Sequence, residues 1–233
     1  MNCIYCKQPC IKKGIRNGIQ KLFCNNCKKY QQEKYKIKRV DKEKAKHIVL
    51  LNNEGLGISS IARLLSIAKS TVIRWMKKIA NALIRPMKIE VNQDYKIDEM
   101  VTYIGKKSPS NYTYIIYAIN KSTGNIIDFF VRQRTKENIK KVIDKVKQLS
   151  PHKIFIDGLN IYSVLISSNI HFTRKHCINR IERFNLTLRT HIKRLNRKTI
   201  CYSKCIEMLK VCVKLYMLRR DLQSSIINMN LSN

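Results

Sequence analysis

The spacing of apolar residues changes character along the chain and divides it into segments. Residues 1–38 carry isolated apolar positions around a Gly14-Ile-Arg-Asn-Gly18 turn, a pattern of short strands with few helix signals. From His47 to Ala82 the period becomes helical. Ile48 and Leu51 mark a first helix that stops near Gly55-Leu-Gly57. Ser59 is expected to cap a second helix carrying Ile61, Ala62 and Leu65, and Ser70 a third with Val72, Trp75, Met76 and Ile79 inward. Pro86 closes that run, and residues 86–94 read as a linker.

Beyond the linker the period shortens to that of strands. Residues 95–105, 112–120 and 125–133 are rich in Ile, Tyr and Val and are separated by short turn signals, which predicts an antiparallel meander. Residues 135–149 then form an amphipathic helix with Ile139, Val142, Ile143, Val146 and Leu149 on one face. A short buried strand at 153–156 ends at Asp157-Gly158, a helix is expected at 160–166, and helical patterns dominate from Ile178 to Leu222. The resulting order, βββ-α-β-α-(β)-α, is that of a ribonuclease-H-like α/β fold with a mixed sheet flanked by helices. The expected organisation is therefore a small module at 1–38, a helical module at 39–85, the linker at 86–94, the α/β domain at 95–222 and a tail at 223–233.

Cysteines change the reading of the first segment. Cys3-x-x-Cys6 and Cys24-x-x-Cys27 can present four thiolates to one point, the tetrahedral shell that Zn²⁺ prefers, so residues 1–38 read as a zinc ribbon. Some thirty residues cannot build a sufficient hydrophobic core, and bound metal would supply the folding energy instead. Reversible disulfides are the competing use of the same pairs. Cys10 is a spare thiol nearby, behind Pro9.

Charge changes the picture next. Across 233 residues, 47 Lys and Arg face 15 Asp and Glu, a net charge of +32, which attracts polyanions. No apolar run approaches the roughly 18 residues of a spanning helix, and no secretory leader pattern is visible, so the expectation is an intracellular, DNA-associated protein (cytoplasm or nucleoid) with no membrane partner. In the helical module a short helix, a tight turn and an Arg/Lys-rich helix read as a helix-turn-helix. Ser70, Thr71, Arg74, Lys77 and Lys78 would face double-stranded DNA, with Arg74 near base edges. An ordinary three-helix bundle with a solvated basic face is the plainer alternative.

In so basic a chain, acids in apolar or cationic settings need a partner. Asp98 lies mid-strand, Asp157 closes the strand Lys-Ile-Phe-Ile, and Glu182 lies on a helix within the stretch from Arg174 to Arg220, where fourteen residues are Lys or Arg and the only other acid is Glu207. Each alone could be a surface carboxylate paired with lysine. Their joint placement, on the first strand, on the strand after the crossover helix and on a later helix, lets them converge at one edge of the predicted sheet. Carboxylates gathered in this way suit Mg²⁺ or Mn²⁺ and phosphodiester chemistry. On the last helix Glu182, Asn185, Arg189 and Lys193 are expected to share one face, opposite a buried stripe of Ile181, Leu188, Ile192 and Leu195. Asn185, Arg189 and Lys193 are then further candidate DNA contacts. His171 and His176 are weak candidates for a supporting role.

The stretches Ile97-Asp98-Glu99 with Tyr103-Ile104-Gly105, Asp157-Gly158 with Tyr162, and Arg180-Ile-Glu182-Arg183-x-Asn185-x-x-x-Arg189 resemble the DDE transposases of the bacterial insertion-sequence-one family. The paired cysteines and helix-turn-helix resemble that family's DNA-recognising portion. The resemblance implies a transposase that binds the terminal inverted repeats of its element and target DNA and acts as a homo-oligomer on DNA. It also implies Asp98, Asp157 and Glu182 as the catalytic triad holding Mg²⁺ (or Mn²⁺), with Zn²⁺ on Cys3, Cys6, Cys24 and Cys27. Glu99 is the rival to Asp98, and strand alternation lets only one of them face the metal. A non-catalytic DNA-binding regulator or an inactive remnant is the other reading.

Overall fold

The computed structural model describes residues 1–34, 42–83, 90–173, 179–196 and 200–219. Residues 86–89 of the expected linker, His176 and the tail from 223 onward lie outside these. The chain forms two compact units, Met1–Asp41 and Lys42–Asn233.

The first unit is an antiparallel sheet of three strands, β1 (Cys10–Arg16), β2 (Ile19–Cys24) and β3 (Tyr30–Gln32), in the order β1-β2-β3. Asn17 and Gly18 both have positive φ, 51° and 71°, as a two-residue hairpin turn that follows strand twist requires. The expected five-residue turn is thus confined to two residues. Gly14, at φ 84°, lies inside β1 where the register slips between Lys12 and Ile15, so it serves a bulge. Apolar burial here is slight: Cys3, Leu22 and Cys24 are the buried hydrophobics, and buried Gln31 ties the Ile4 N–H to the Asn2 carbonyl through its amide.

In the second unit α1 (Lys42–Asn53), α2 (Ile58–Leu64) and α3 (Lys69–Ala82) form the expected helical module. Ile48, Ile61, Val72, Met76 and Ile79 are its buried contacts. The caps differ from expectation. Gly57 and Ala68 precede the helices without any side-chain cap bond, and Ser59 and Ser70 fall inside the first turns. Trp75, expected inward, is half-exposed, with the Lys78 ammonium 5.1 Å from its ring centroid.

The sheet contains β4 (Asp94–Tyr103), β5 (Tyr112–Asn120), β6 (Ile126–Arg132), β7 (Lys153–Ile156) and β8 (His171–Thr173) in the order β6-β5-β4-β7-β8. β5 runs antiparallel to both of its neighbours, β4 and β6, while β7 and β8 run parallel to β4. This is the ribonuclease-H-like arrangement, with β4 at the centre. Helix α4 (Lys136–Lys147) is started by Thr135, whose hydroxyl accepts the Asn138 N–H at 3.3 Å. Ile139, Val142, Ile143 and Val146 of α4 bury against Tyr95, Ile97, Ile116, Ala118, Ile154 and Ile156, with Tyr162 of α5 (Asn160–Leu165) in the same core. Odd positions of β4 therefore face α4 and α5, and even positions face the other side.

On that other side lies α6 (Asn179–His191). It ends at His191, so Lys193 belongs to a following 3-10 turn and leaves the helical face expected for it. Leu188, Ile192 and Leu195 are buried as the stripe requires, though the last two lie past the helix end. The last helix, α7 (Ile206–Met217), is buried on most sides and packs against α1, α3 and β6. The helical module also meets α6 directly: Gly55, at φ 81°, sits so close to the His191 carbonyl that an added Cβ would stand 2.7 Å from that oxygen.

Candidate active site and metal cluster

Among the described residues the four cysteines are the set of metal-ligating side chains that gathers most tightly, with all ligand atoms within 4.8 Å of one another. Cys3 and Cys27 sulfurs lie 3.5 Å apart, and Cys6 and Cys24 3.4 Å. A tetrahedral Zn–S₄ shell with bonds of about 2.3 Å has sulfur–sulfur edges near 3.8 Å, so the cluster fits that ion with little adjustment. The turns around the first pair favour thiolate: the Tyr5 N–H points at Cys3 Sγ, 3.4 Å away, and the Gln8 N–H with the Asn26 side chain draws the Cys6 thiol down to about 6. Cys10 pairs with Cys24 across the ladder and stands outside the foursome.

Two of the three acids stand at the centre of the large sheet, on β4 and at the end of β7. The parallel pairing runs Asp94 with Lys153, Tyr95 with Ile154 and Lys96 with Phe155. Two residues further along, the same register brings Asp157 level with Asp98, on strands about 4.8 Å apart. Ile154 and Ile156 lie in the core below α4, so Phe155 and Asp157 alternate to the face that Asp98 occupies. Asp98 is paired across the ladder with Tyr117, and the tyrosine hydroxyl comes within 3.4 Å of Asp98 Oδ2.

Asn185 of α6 closes this group. Its Nδ2 donates to Asp98 Oδ2 at 2.6 Å, and its Oδ1 accepts from the Tyr117 hydroxyl at 2.9 Å. Phe184, next to it, packs on the Tyr117 ring at 5.1 Å. Glu182 is exposed in the first turn of α6, one turn before Asn185 on the same side of the helix. The helix is thus pinned to β4 where it carries the third acid. Asn185, expected to face DNA, has both ends of its amide engaged by protein. Arg189 is half-buried one turn on, with its Nη1 3.5 Å from the Leu195 carbonyl, and Lys193 is exposed.

The electrostatics follow from this crowding. Burial pushes the Asp98 carboxyl above its ordinary range, opposed by bonds from the Glu99 N–H and Asn185 and reinforced by the nearby charge of Asp157. Burial and the Asp98 charge also raise the Tyr117 hydroxyl well above its usual value. Asp157 and Glu182 are exposed at the strand end and the helix start. The three carboxylates do not gather as closely as the four thiols do. A set of two or three carboxylate oxygens with one half-buried member is the donor chemistry that Mg²⁺ or Mn²⁺ takes.

Glu99 turns to the opposite face, as strand alternation demands. Its Oε1 accepts from the Tyr162 hydroxyl at 2.7 Å and its Oε2 lies 3.6 Å from Arg134 Nη1. Tyr117, Tyr162 and Arg134 were not singled out for these contacts by sequence reasoning. For Tyr117 the available signal was a strand tyrosine in so apolar a run, since a buried hydroxyl needs a partner. His171 is half-buried in β8, and its Nε2 makes no hydrogen bond among the described residues.

Of the helix-turn-helix candidates, Ser70, Arg74, Lys77 and Lys78 are exposed on α3 and Thr71 is half-buried. Lys77 also contributes to holding the Glu207 carboxyl below its ordinary range, behind the larger effect of Lys210. No helix among the described residues is long and apolar enough to cross a membrane.

Comparison with known proteins gives the geometry a family. An insertion element iso-IS1n protein, InsB, of Shigella dysenteriae is 34% identical over 113 residues, spanning 48% of this chain and 85% of that protein. The insertion element IS1 4 protein InsB of Escherichia coli (strain K12) is 30% identical over 116 residues, 48% of this chain and 66% of its own. Among solved structures, the cryo-EM structure of a simian T-cell lymphotropic virus intasome in complex with PP2A regulatory subunit B56 gamma is a slight likeness, with a TM-score of 0.38 and 12% identity over 75% of this chain and 68% of that one. The IS1 transposase family matches residues 94–223, which take in the whole five-stranded sheet and α6 with Asp98, Asp157 and Glu182, and the chain belongs to that family.

Proposed function

We propose that this chain is a metal-dependent transposase that binds the ends of its element and performs DNA cleavage and strand transfer. The observation that carries the reading is the parallel register of β4 and β7, which sets Asp98 and Asp157 side by side at the sheet centre beneath the helix that bears Glu182. Asp98, Asp157 and Glu182 would hold Mg²⁺ or Mn²⁺. Bound there, the ions supply a lowered pKa for water or a 3′-hydroxyl and charge stabilisation for the departing oxygen. The protein's own part is positional. Asn185 and the Glu99 N–H orient the Asp98 carboxylate, Tyr117 fixes the Asn185 amide, and Phe184 seats the helix on the sheet. Arg189 and Lys193, beside the same helix, would meet the DNA backbone.

DNA recognition is assigned to α3 and to the first unit. Arg74 would reach base edges, and Ser70, Thr71, Lys77 and Lys78 the phosphates, with the net charge of +32 supplying attraction to the duplex. Zn²⁺ on Cys3, Cys6, Cys24 and Cys27 would hold the first unit in shape. Terminal inverted repeats and target DNA are the expected partners, with the protein acting as a homo-oligomer on them.

The test is direct. Purified protein is incubated with Mg²⁺ and duplex DNA carrying the inverted repeats that flank its gene, beside a scrambled duplex. Nicked and joined products from the first alone are expected. Specific binding without any metal-dependent nicking would instead make it a DNA-binding regulator.

A further inference from the structure

Glu99 is an expensive residue where it stands. Its side chain is only 5% exposed, at the edge of the apolar core beneath α4 and α5, where Tyr95 and Ile97 occupy the preceding positions of the same face. Burying a carboxylate there carries a large desolvation cost. Two groups offset it in part: Tyr162 donates its hydroxyl to Oε1 at 2.7 Å, and the Arg134 guanidinium lies 3.6 Å from Oε2, which makes no hydrogen bond among the described residues. Arg134 also stacks over Tyr114, 5.1 Å from its ring centroid, so its charge is held in place over the core edge. An aliphatic residue would fill the site more cheaply. The carboxylate is therefore there for what it holds.

What it holds is defined by position along the chain. Glu99 directly follows Asp98 and gives its N–H to the Asp98 carboxylate. Tyr162 is five residues after Asp157, in the first turn of α5 just beyond the short turn that leaves β7, and its ring is locked in the core beside Ile154 and Ile156. A single short bond thus joins the residue after the first acid to the anchor behind the second.

We propose that the Glu99–Tyr162 bond is a positioning device that sets the separation between Asp98 and Asp157, with Arg134 balancing the charge of Glu99. This rests on the assignment of those two acids to the metal centre. Neither Glu99 nor Tyr162 touches the metal in this scheme. They act through the backbone of β4 and through the turn at residues 157–160.

The test uses full-length protein and Mn²⁺, with free ion followed by its paramagnetic resonance signal and strand transfer measured alongside over a range of Mg²⁺ concentrations. Loss of an outer support of this kind costs roughly tenfold or more in metal affinity. Tyr162→Phe and Glu99→Leu are each expected to weaken Mn²⁺ binding by about that factor and to raise the Mg²⁺ needed for half-maximal rate. The double variant should lose no more than either single one, because both remove the same bond. Glu99→Gln keeps an acceptor for the Tyr162 hydroxyl and should stay near the parent. Parental Mn²⁺ affinity in Tyr162→Phe overturns the proposal, and that variant decides alone if Glu99→Leu does not fold. Multiplying losses in the double variant also overturn it, as does a Glu99→Gln protein as defective as Asp157→Asn, which would make Glu99 a ligand. Asp157→Asn run in parallel separates the two levels. If it binds Mn²⁺ like the parent, the metal centre itself is misassigned; if it alone loses binding, only the positioning role fails.

Discussion

Replacing Asn185 with Ala removes one amide and two hydrogen bonds from the junction of α6 with the sheet. The bond to Asp98 is 2.6 Å long with a charged acceptor, a type worth about 1.5–3 kcal/mol. Tyr117 loses its 2.9 Å partner and is left with Asp98 Oδ2 at 3.4 Å, which adds about 1 kcal/mol. Together these give a loss of about 3 kcal/mol in the second unit. At about 2–4 °C per kcal/mol for a unit of this size, the melting temperature should fall by about 6–12 °C. The Asp98 carboxylate, released from the amide, should also hold metal about tenfold less tightly. Affinity for end DNA should not change, because the amide is spent on protein. Thermal melts, Mn²⁺ titration and filter binding on one preparation cover all three. A variant that melts within a degree of the parent yet binds end DNA more weakly would refute this reasoning and return Asn185 to the DNA surface.

Three further outcomes are expected. Purified protein should contain one Zn²⁺ per chain, and strong chelation should unfold the first unit while the second keeps its far-UV signal; metal-free protein with an intact first unit would contradict the zinc assignment. Gly55→Ala should destabilise by roughly 2–4 kcal/mol, combining the left-handed backbone with contact against the His191 carbonyl, and an unchanged melting temperature would deny that contact. Asp98→Asn should raise stability at neutral pH without divalent ions. The folded Asp98 carboxyl has a raised pKa, so its charged form costs stability once pH passes above that value. The gain should therefore shrink as pH falls toward the ordinary carboxylate range, and a gain that grows with acid would have the wrong sign.

Much of the fold was legible because its signals are periodic. The strand at 153–156 and the helix that follows Thr135 lie where apolar spacing puts them, and β4 to β6 differ from expectation by at most a residue or two at either end. The opposite facing of Asp98 and Glu99 follows from alternation alone. What was missed depends on register or on backbone conformation. Tyr117 could be read as a strand residue, but only the ladder that pairs it with Asp98 reveals its hydroxyl as part of the site. Tyr162 was visible within the Asp157-Gly158 motif, yet its bond to Glu99 crosses from helix to strand. Ser59 and Ser70 have the chemistry of caps, but Gly57 and Ala68 hold the extended backbone that starts each helix. Lys193 fits the helical period of Glu182 and Asn185, and the helix simply ends two residues before it.

The central claim is that Asp98, Asp157 and Glu182 act as one metal-holding set although they come from separate elements. Asp98→Asn, Asp157→Asn and Glu182→Gln preserve size and remove one anionic ligand each. Cleavage of end-bearing duplex in Mg²⁺ should disappear in all three, with DNA affinity near that of the parent. A folded Asp157→Asn protein that cleaves at the parental rate would contradict the account.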